Sequence, residues 1–225
     1  LIEAGIGRPG QYVVIRPGVE LEELPDRLSA RGGLSLPLDQ PVILFVGRLT
    51  AVKRPDRLIE AMVLVLEQQP DAVLAIAGEG DLLEETRRLA EPLGSSVRFL
   101  GWQKDITGLY AAADCMVLTS DNEGMPVTLI EGAMAGVPSV TTDVGSAREV
   151  VVDGVTGLVV ESDATAIAEG LVRLLDDDLR NRMGTAARER AEAEFGTKRF
   201  IADHEALYNS LLSGIGQPDA ISPRW

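Results

Sequence analysis

The chain has 225 residues, 45% apolar and 25% charged, a size that suits one globular domain with short appendages and that buries a core without disulfide or metal staples. Its formal charge of -14 repels phosphate backbones and anionic lipid, which argues against nucleic acid or a polybasic membrane contact, so any phosphate ligand needs cations placed locally. The single cysteine, Cys115, has no internal disulfide partner, and beside Met116, Val117 and Leu118 it reads as a core thiol in a reducing, cytoplasmic setting.

The chain opens on Leu1, and no basic segment leads into an apolar stretch long enough for a membrane span. Leu1 to Ile6 read as the tail of a helix begun upstream, followed by a loop at Gly7, Pro9 and Gly10, so the domain is expected to start near Tyr12. From there short Val- and Ile-rich runs alternate with longer amphipathic stretches, as βαβ units do. Strands are expected at Tyr12–Arg16, Val42–Gly47, Val73–Gly78, Val97–Leu100, Cys115–Thr119, Ser139–Thr142 and Gly157–Val160. Helices are expected at Pro55–Gln69, Leu82–Leu93, Ile106–Ala112, Pro126–Ala135, Ala164–Leu175 and Leu179–Phe195, then, past a break at Gly196, at Lys198–Leu212. The strand runs are too continuously apolar for a sheet with one wet face. The expected fold is therefore α/β, a doubly wound, Rossmann-like parallel sheet over residues 12–195, with a last helix over 196–213 and a loose tail over 214–225. In such sheets ligands sit at the carboxyl ends of the strands, so the loops after the strands carry the chemistry.

The first such loop runs Gly47-Arg48-Leu49-Thr50-Ala51-Val52-Lys53, two cations at a strand end before a helix. Arg offers a planar fork for two phosphate oxygens, Lys a mobile point charge, and Gly47 lets backbone come close. Spacing alone does not separate a phosphate clamp from two solvated surface charges. The next loop, Gly78-Glu79-Gly80-Asp81-Leu82-Leu83, begins like a dinucleotide fingerprint but has Leu83 in place of the third glycine, and it reads as a tight turn with Asp81 as N-cap. After the following strand come Gly101 and Trp102, where bare backbone could meet a base edge, although packing accounts for Gly101 as well.

The richest loop is Thr119 to Gly136. Pro126 falls in the first turn of a helix, leaving the N–H groups of Val127, Thr128 and Leu129 to face the crevice with the positive end of the helix dipole behind them, a site for an anion. Glu123 precedes that helix and Glu131 lies along it, so two acceptor-only carboxylates flank one anion site, which suits a ligand bringing hydroxyls as well as phosphate. The alternatives are that Glu123 merely favours the dipole and that Glu131 is a surface residue.

The order Gly47-Arg48…Lys53, Gly101, Glu123-x7-Glu131 with Gly124 and Pro126, Asp143-Val144-Gly145…Glu149 and Asp153-Gly154…Gly157 resembles the donor-binding domain of family 4 glycosyltransferases, the C-terminal half of a GT-B fold, over roughly Tyr12 to Leu212. The resemblance implies that Arg48 and Lys53 hold the donor diphosphate and stabilise charge on the leaving nucleotide, and that Glu123 bonds the donor sugar. It also implies that Gly124, Met125 and Pro126 line the sugar, that Val127 and Thr128 amides face the distal phosphate, that Glu131 bonds the ribose, and that Gly101 and Trp102 meet the base. Donors would be UDP- or GDP-sugars, transferred with retention to an unknown acceptor and without a metal, so Asp176-Asp177-Asp178 reads as a solvated helix end.

The chain departs from the family at Gly145-Ser146, where many members have two glycines, which implies looser backbone approach there. The acceptor-binding N-terminal domain is expected as a partner from the same enzyme, with the last helix crossing back to it and any membrane contact made peripherally through it; the isolated domain would then bind donor without transferring. His204, in that last helix, receives no role. A binding-only nucleotide-sugar module and a nucleotide-sugar epimerase of similar fold are the other readings.

Overall fold

The computed structural model describes residues 5–7 and 10–213. The expected tail at 214–225 and the first four residues of the expected helix end at 1–6 lie outside the described residues, and Gly5 and Ile6 are not helical. In chain order the elements are α1 Arg27–Gly33, β1 Val42–Val46, α2 Pro55–Gln68, β2 Val73–Ala77, α3 Leu83–Ala90, β3 Val97–Gly101, α4 Ile106–Ala112 and β4 Cys115–Leu118. They continue with α5 Val127–Met134, β5 Ser139–Thr142, α6 Ala147–Val150, β6 Gly157–Val160, α7 Ala164–Leu174, α8 Asp177–Phe195 and α9 Thr197–Leu212. The six strands form one parallel sheet in the order β3-β2-β1-β4-β5-β6. This is the doubly wound order, whose direction of winding reverses between β1 and β4.

Alternate residues of each central strand enter different cores, which is why the runs read as continuously apolar. Ile43 and Phe45 of β1, Leu74 and Ile76 of β2, and Cys115 and Val117 of β4 pack with α2 and α7. Val42, Leu44, Val73, Ala75 and Met116 pack with α1 and α4 on the other face. Leu118 joins Leu129 and Ile130 of α5 and Ala191 and Phe195 of α8 in a third cluster. Cys115 is fully buried, and burial pushes its thiol well above the usual range, so it is a core residue as its neighbours suggested.

Three expectations need correction. Tyr12–Arg16 is β-rich in composition but forms no strand. Its last residue is tied to helices instead: Arg199 of α9 donates to the Arg16 carbonyl at 2.8 Å, and the Arg16 guanidinium meets Glu194 of α8 at 2.6 Å. Two helices went unforeseen: α1, with a polar and glycine-bearing sequence, and the four-residue α6. Asp81 does not cap α3; the helix begins after Leu82, with no side-chain cap. The glycine loop before it answers to a different demand, since a side chain at Gly78 would meet the Gly47 carbonyl oxygen at 2.0 Å and its φ is 141°. The acidic run behaves as a helix start: Asp176 accepts the Leu179 N–H at 2.9 Å and Asp177 bonds Arg180.

α1 is fixed through a buried charge cluster. Asp114, at the foot of β4, accepts from Arg31, which is 1% exposed, at 2.7 Å and from the Val42 N–H at 2.7 Å, with Arg27 also bonded to it. Arg31 also donates to the carbonyls of Pro37, Leu38, Gln40 and Ala112, so each nitrogen of the buried guanidinium has an acceptor.

Candidate functional site

The loops after β1 and β4 meet where the winding of the sheet reverses, and a set of cross-links determines how. Residues Ala51–Lys53 form a short 3₁₀ turn closed by Arg54 in the left-handed region, φ 51°. Asp121 N–H donates to the Val52 carbonyl at 2.9 Å, and the Thr119 hydroxyl donates to the Lys53 carbonyl at 2.8 Å. Arg57, near the start of α2, reaches across to the Thr119 carbonyl and the Asp121 carboxylate, both at 2.7 Å, while Arg54 also meets Asp121. Neither Arg54, Arg57 nor Asp121 figured among the expected site residues. They weld one loop to the other.

The weld brings Lys53 to Glu123. The Nζ to Oε1 distance is 2.5 Å, the Ser120 hydroxyl donates to the same oxygen at 2.6 Å, and the Glu123 side chain is only 9% exposed. Glu123 is held from behind by the loop after β5. At Gly145, φ 51°, an added side chain would lie 1.8 Å from the Glu123 carbonyl oxygen, and Ser146 N–H donates to the Gly124 carbonyl at 3.3 Å. Of the pair Gly145-Ser146, Gly145 is the one whose bare backbone this packing requires, while Ser146 contributes its N–H.

Pro126 stands at the N-cap of α5 rather than inside its first turn, buried, with φ −73° and ψ 96°. The Leu129 N–H is not free as expected, since it donates to the Pro126 carbonyl at 3.1 Å. Val127 and Thr128 precede that bond and remain the amides of the helix start, with Val127 exposed and Thr128 half-buried. Met125 and Gly124 complete the turn from Glu123 into α5, Met125 half-buried and Gly124 exposed.

Glu131, on α5, is half-buried, not a plain surface residue. Burial raises its carboxyl above the usual range, and a 2.6 Å hydrogen bond from the Tyr110 hydroxyl pulls the other way. Tyr110, on α4, is completely buried, and sequence reasoning passed over it. The available signal was a hydroxyl within the otherwise apolar run Leu109 to Ala112, which must find a partner if the ring is buried.

The other expected residues spread around this centre. Gly47 follows β1, and its N–H donates to the Ala77 carbonyl; Arg48 comes next, exposed. Gly101 closes β3 with φ 66°, and its carbonyl accepts the Gly78 N–H at 2.8 Å, so its glycine serves a backbone turn. Trp102 stands 70% exposed. A cavity of about 440 Å³ opens next to this loop, between residues 20–22 and the start of α4. Asp143, Glu149 and Asp153, from the later motifs, are spent on structure: Asp143 on Arg148, Glu149 on Arg16, and Asp153 on the Val159 N–H. Chemically, the centre offers a cation, amides at a helix start and two carboxylate acceptors, a set that matches an anion carrying hydroxyls.

The family described as "Glycosyl transferases group 1" matches residues 26–190. D-inositol 3-phosphate glycosyltransferase of Corynebacterium aurimucosum is 34% identical across 100% of this chain and 57% of its own length. The GDP-mannose-dependent monoacylated alpha-(1-6)-phosphatidylinositol monomannoside mannosyltransferase of Corynebacterium glutamicum is 38% identical over 76% of this chain and 47% of its own. The chain thus spans about half the length of the curated relatives it matches. Among solved structures, Anabaena Alr3699/HepE in complex with UDP and glucose superimposes with a TM-score of 0.83 over 94% of this chain and 59% of that one; at 24% identity the likeness speaks for the fold alone.

Proposed function

The chain belongs to the glycosyl transferases group 1, and from that premise we propose that it is the donor-binding half of a retaining, metal-independent family 4 hexosyltransferase that takes a UDP- or GDP-sugar. The observation that carries the reading is the Lys53–Glu123 pair, 2.5 Å apart at the point where the sheet reverses, beside the start of α5. A relative named for GDP-mannose lends it support, and uridine and guanosine nucleotides both stay open for this chain.

The donor diphosphate lies against the Val127 and Thr128 amides, with Lys53 and Arg48 on its oxygens. When the bond between the anomeric carbon and the phosphate oxygen breaks, negative charge grows on the departing diphosphate, and these fixed positive groups stabilise it without a proton transfer. Glu123 accepts from sugar hydroxyls along the turn Gly124, Met125 and Pro126. Glu131 accepts from the ribose, and Gly101 and Trp102 meet the base. The acceptor, a hydroxyl of a glycan, lipid or small molecule, is held by an N-terminal domain of the same enzyme, in the cytoplasm. No described helix is long and apolar enough to cross a membrane; any contact with a lipid acceptor is assigned, as part of the proposal, to the N-terminal domain.

A thermal-shift series with UDP, GDP and ADP, alone and with sugars attached, followed by calorimetry, tests the proposal. Binding of a uridine or guanosine diphosphate supports it, and no binding of either at millimolar concentration overturns it.

A further inference from the structure

The Tyr110–Glu131 contact goes beyond these roles. Tyr110 is 0% exposed and its ring packs among Leu109, Ala112, Met116 and Val137. A buried phenol must place its hydroxyl on a partner, and here that partner is the Glu131 carboxylate, to which the proposed function gives the ribose. The bond occupies Oε2 at 2.6 Å, and among the described residues the Tyr110 hydroxyl is the donor that meets this carboxylate. One oxygen is thereby tied to the core while Oε1 is left for a ligand hydroxyl, and the carboxylate plane is set.

We infer that Tyr110 is a positioning residue for the donor: its hydroxyl fixes Glu131 as an oriented, ionised acceptor for the ribose of the nucleotide. The inference rests on the donor-binding reading above. Both ends of the contact sit on helices, and the residues of α4 and the rest of α5 carry no charge. Of the charged groups on α8, which packs on α5, Arg188 and Glu192 line a groove with Met134, three residues along from Glu131. Burial alone would favour the neutral carboxyl, and the phenol, itself pushed far up by burial and by Glu131, stays a donor throughout the physiological range and opposes this.

The test uses the whole chain with Tyr110→Phe, Glu131→Gln and the double variant. One readout needs no ligand: carboxyl-carbon NMR titration of Glu131 should move to higher pH in Tyr110→Phe, and an unmoved titration overturns the inference. The other is calorimetry with whichever of UDP, GDP or ADP binds. Tyr110→Phe should weaken binding about tenfold at neutral pH, the loss of a hydrogen bond to a charged group. The acid limb of affinity should shift upward, and the Tyr110→Phe effect should vanish in the Glu131→Gln background. An equal effect of Tyr110→Phe in both backgrounds marks a purely structural tyrosine and overturns the inference. A shifted titration with no nucleotide bound by any form leaves the contact standing and sinks the donor-binding reading instead.

Discussion

Lys53 and Glu123 neutralise each other in the structure, although the proposed reaction asks one to hold phosphate and the other to hold sugar. A bare nucleoside diphosphate recruits Lys53 and strands a carboxylate that is 9% exposed, whereas an intact nucleotide-sugar gives both a partner. Glu123→Gln is therefore expected to leave the affinity for the bare diphosphate unchanged or improve it by about threefold. The same change should weaken the nucleotide-sugar by about tenfold, a hydrogen bond to a charged acceptor being lost. Calorimetry with both ligands checks this; equal losses for the two would refute the division of labour. Glu131 yields a stability prediction of opposite flavour. Its carboxyl is raised in the folded chain, chiefly by burial, so ionising it costs stability as pH rises from the ordinary carboxylate range through the folded value. Glu131→Gln should raise Tm by about 3 °C at neutral pH, with the advantage gone at acid pH below the unfolded value, while nucleotide binding falls. A thermal-denaturation series in pH decides it.

At the scale of elements, three strand-end loops build one site, and each needs something different from its sequence. The loop after β1 contributes the cation, the loop after β4 contributes Glu123, and the loop after β5 acts as a backstop. Gly145 is the sharpest case, since both its φ of 51° and the 1.8 Å approach to the Glu123 carbonyl forbid a side chain. Gly145→Ala should cost about 1–3 kcal/mol in urea unfolding and displace Glu123, so nucleotide-sugar binding suffers more than bare diphosphate binding. Preserved discrimination between the two ligands would show that the backstop is not needed. Much of this loop system can be read from the sequence, because Gly, Pro and charged residues punctuate apolar runs at Gly47, Pro126 and Gly145. The welds cannot. Arg57 to Thr119 spans 62 residues, and no local pattern announces it.

For the whole molecule, the sheet order places the Lys53 and Glu123 loops side by side, while α9 stands apart. No residue of α9 is buried; Ile201, Tyr208, Leu211 and Leu212 are exposed, and the helix rests on α8 and on residues 16–18 through Arg199 and Phe200. A chain ended at Gly196 should keep nucleotide affinity within about twofold and lose only about 3 °C in Tm, measured by calorimetry and thermal unfolding. Loss of binding would mean that α9 supports the site through the 16–19 segment.

Taken alone, the sequence determined the class of fold and supplied the candidates for the site. Strands buried on both faces must be continuous apolar runs, helices covering them must be amphipathic, and residues that meet an anion must be cations, glycines and helix starts, so each leaves a local trace. Tertiary structure alone decided which of these local traces pair. Tyr12–Arg16 has strand composition, but a strand needs a neighbouring strand to pair with, and the chain ties the end of that segment, Arg16, to helices instead. Lys53 and Glu123, 70 residues apart, and Tyr110 and Glu131, 21 apart, meet because of strand order and helix packing. Contacts between distant residues depend on the path of the whole chain, which no short window of sequence records.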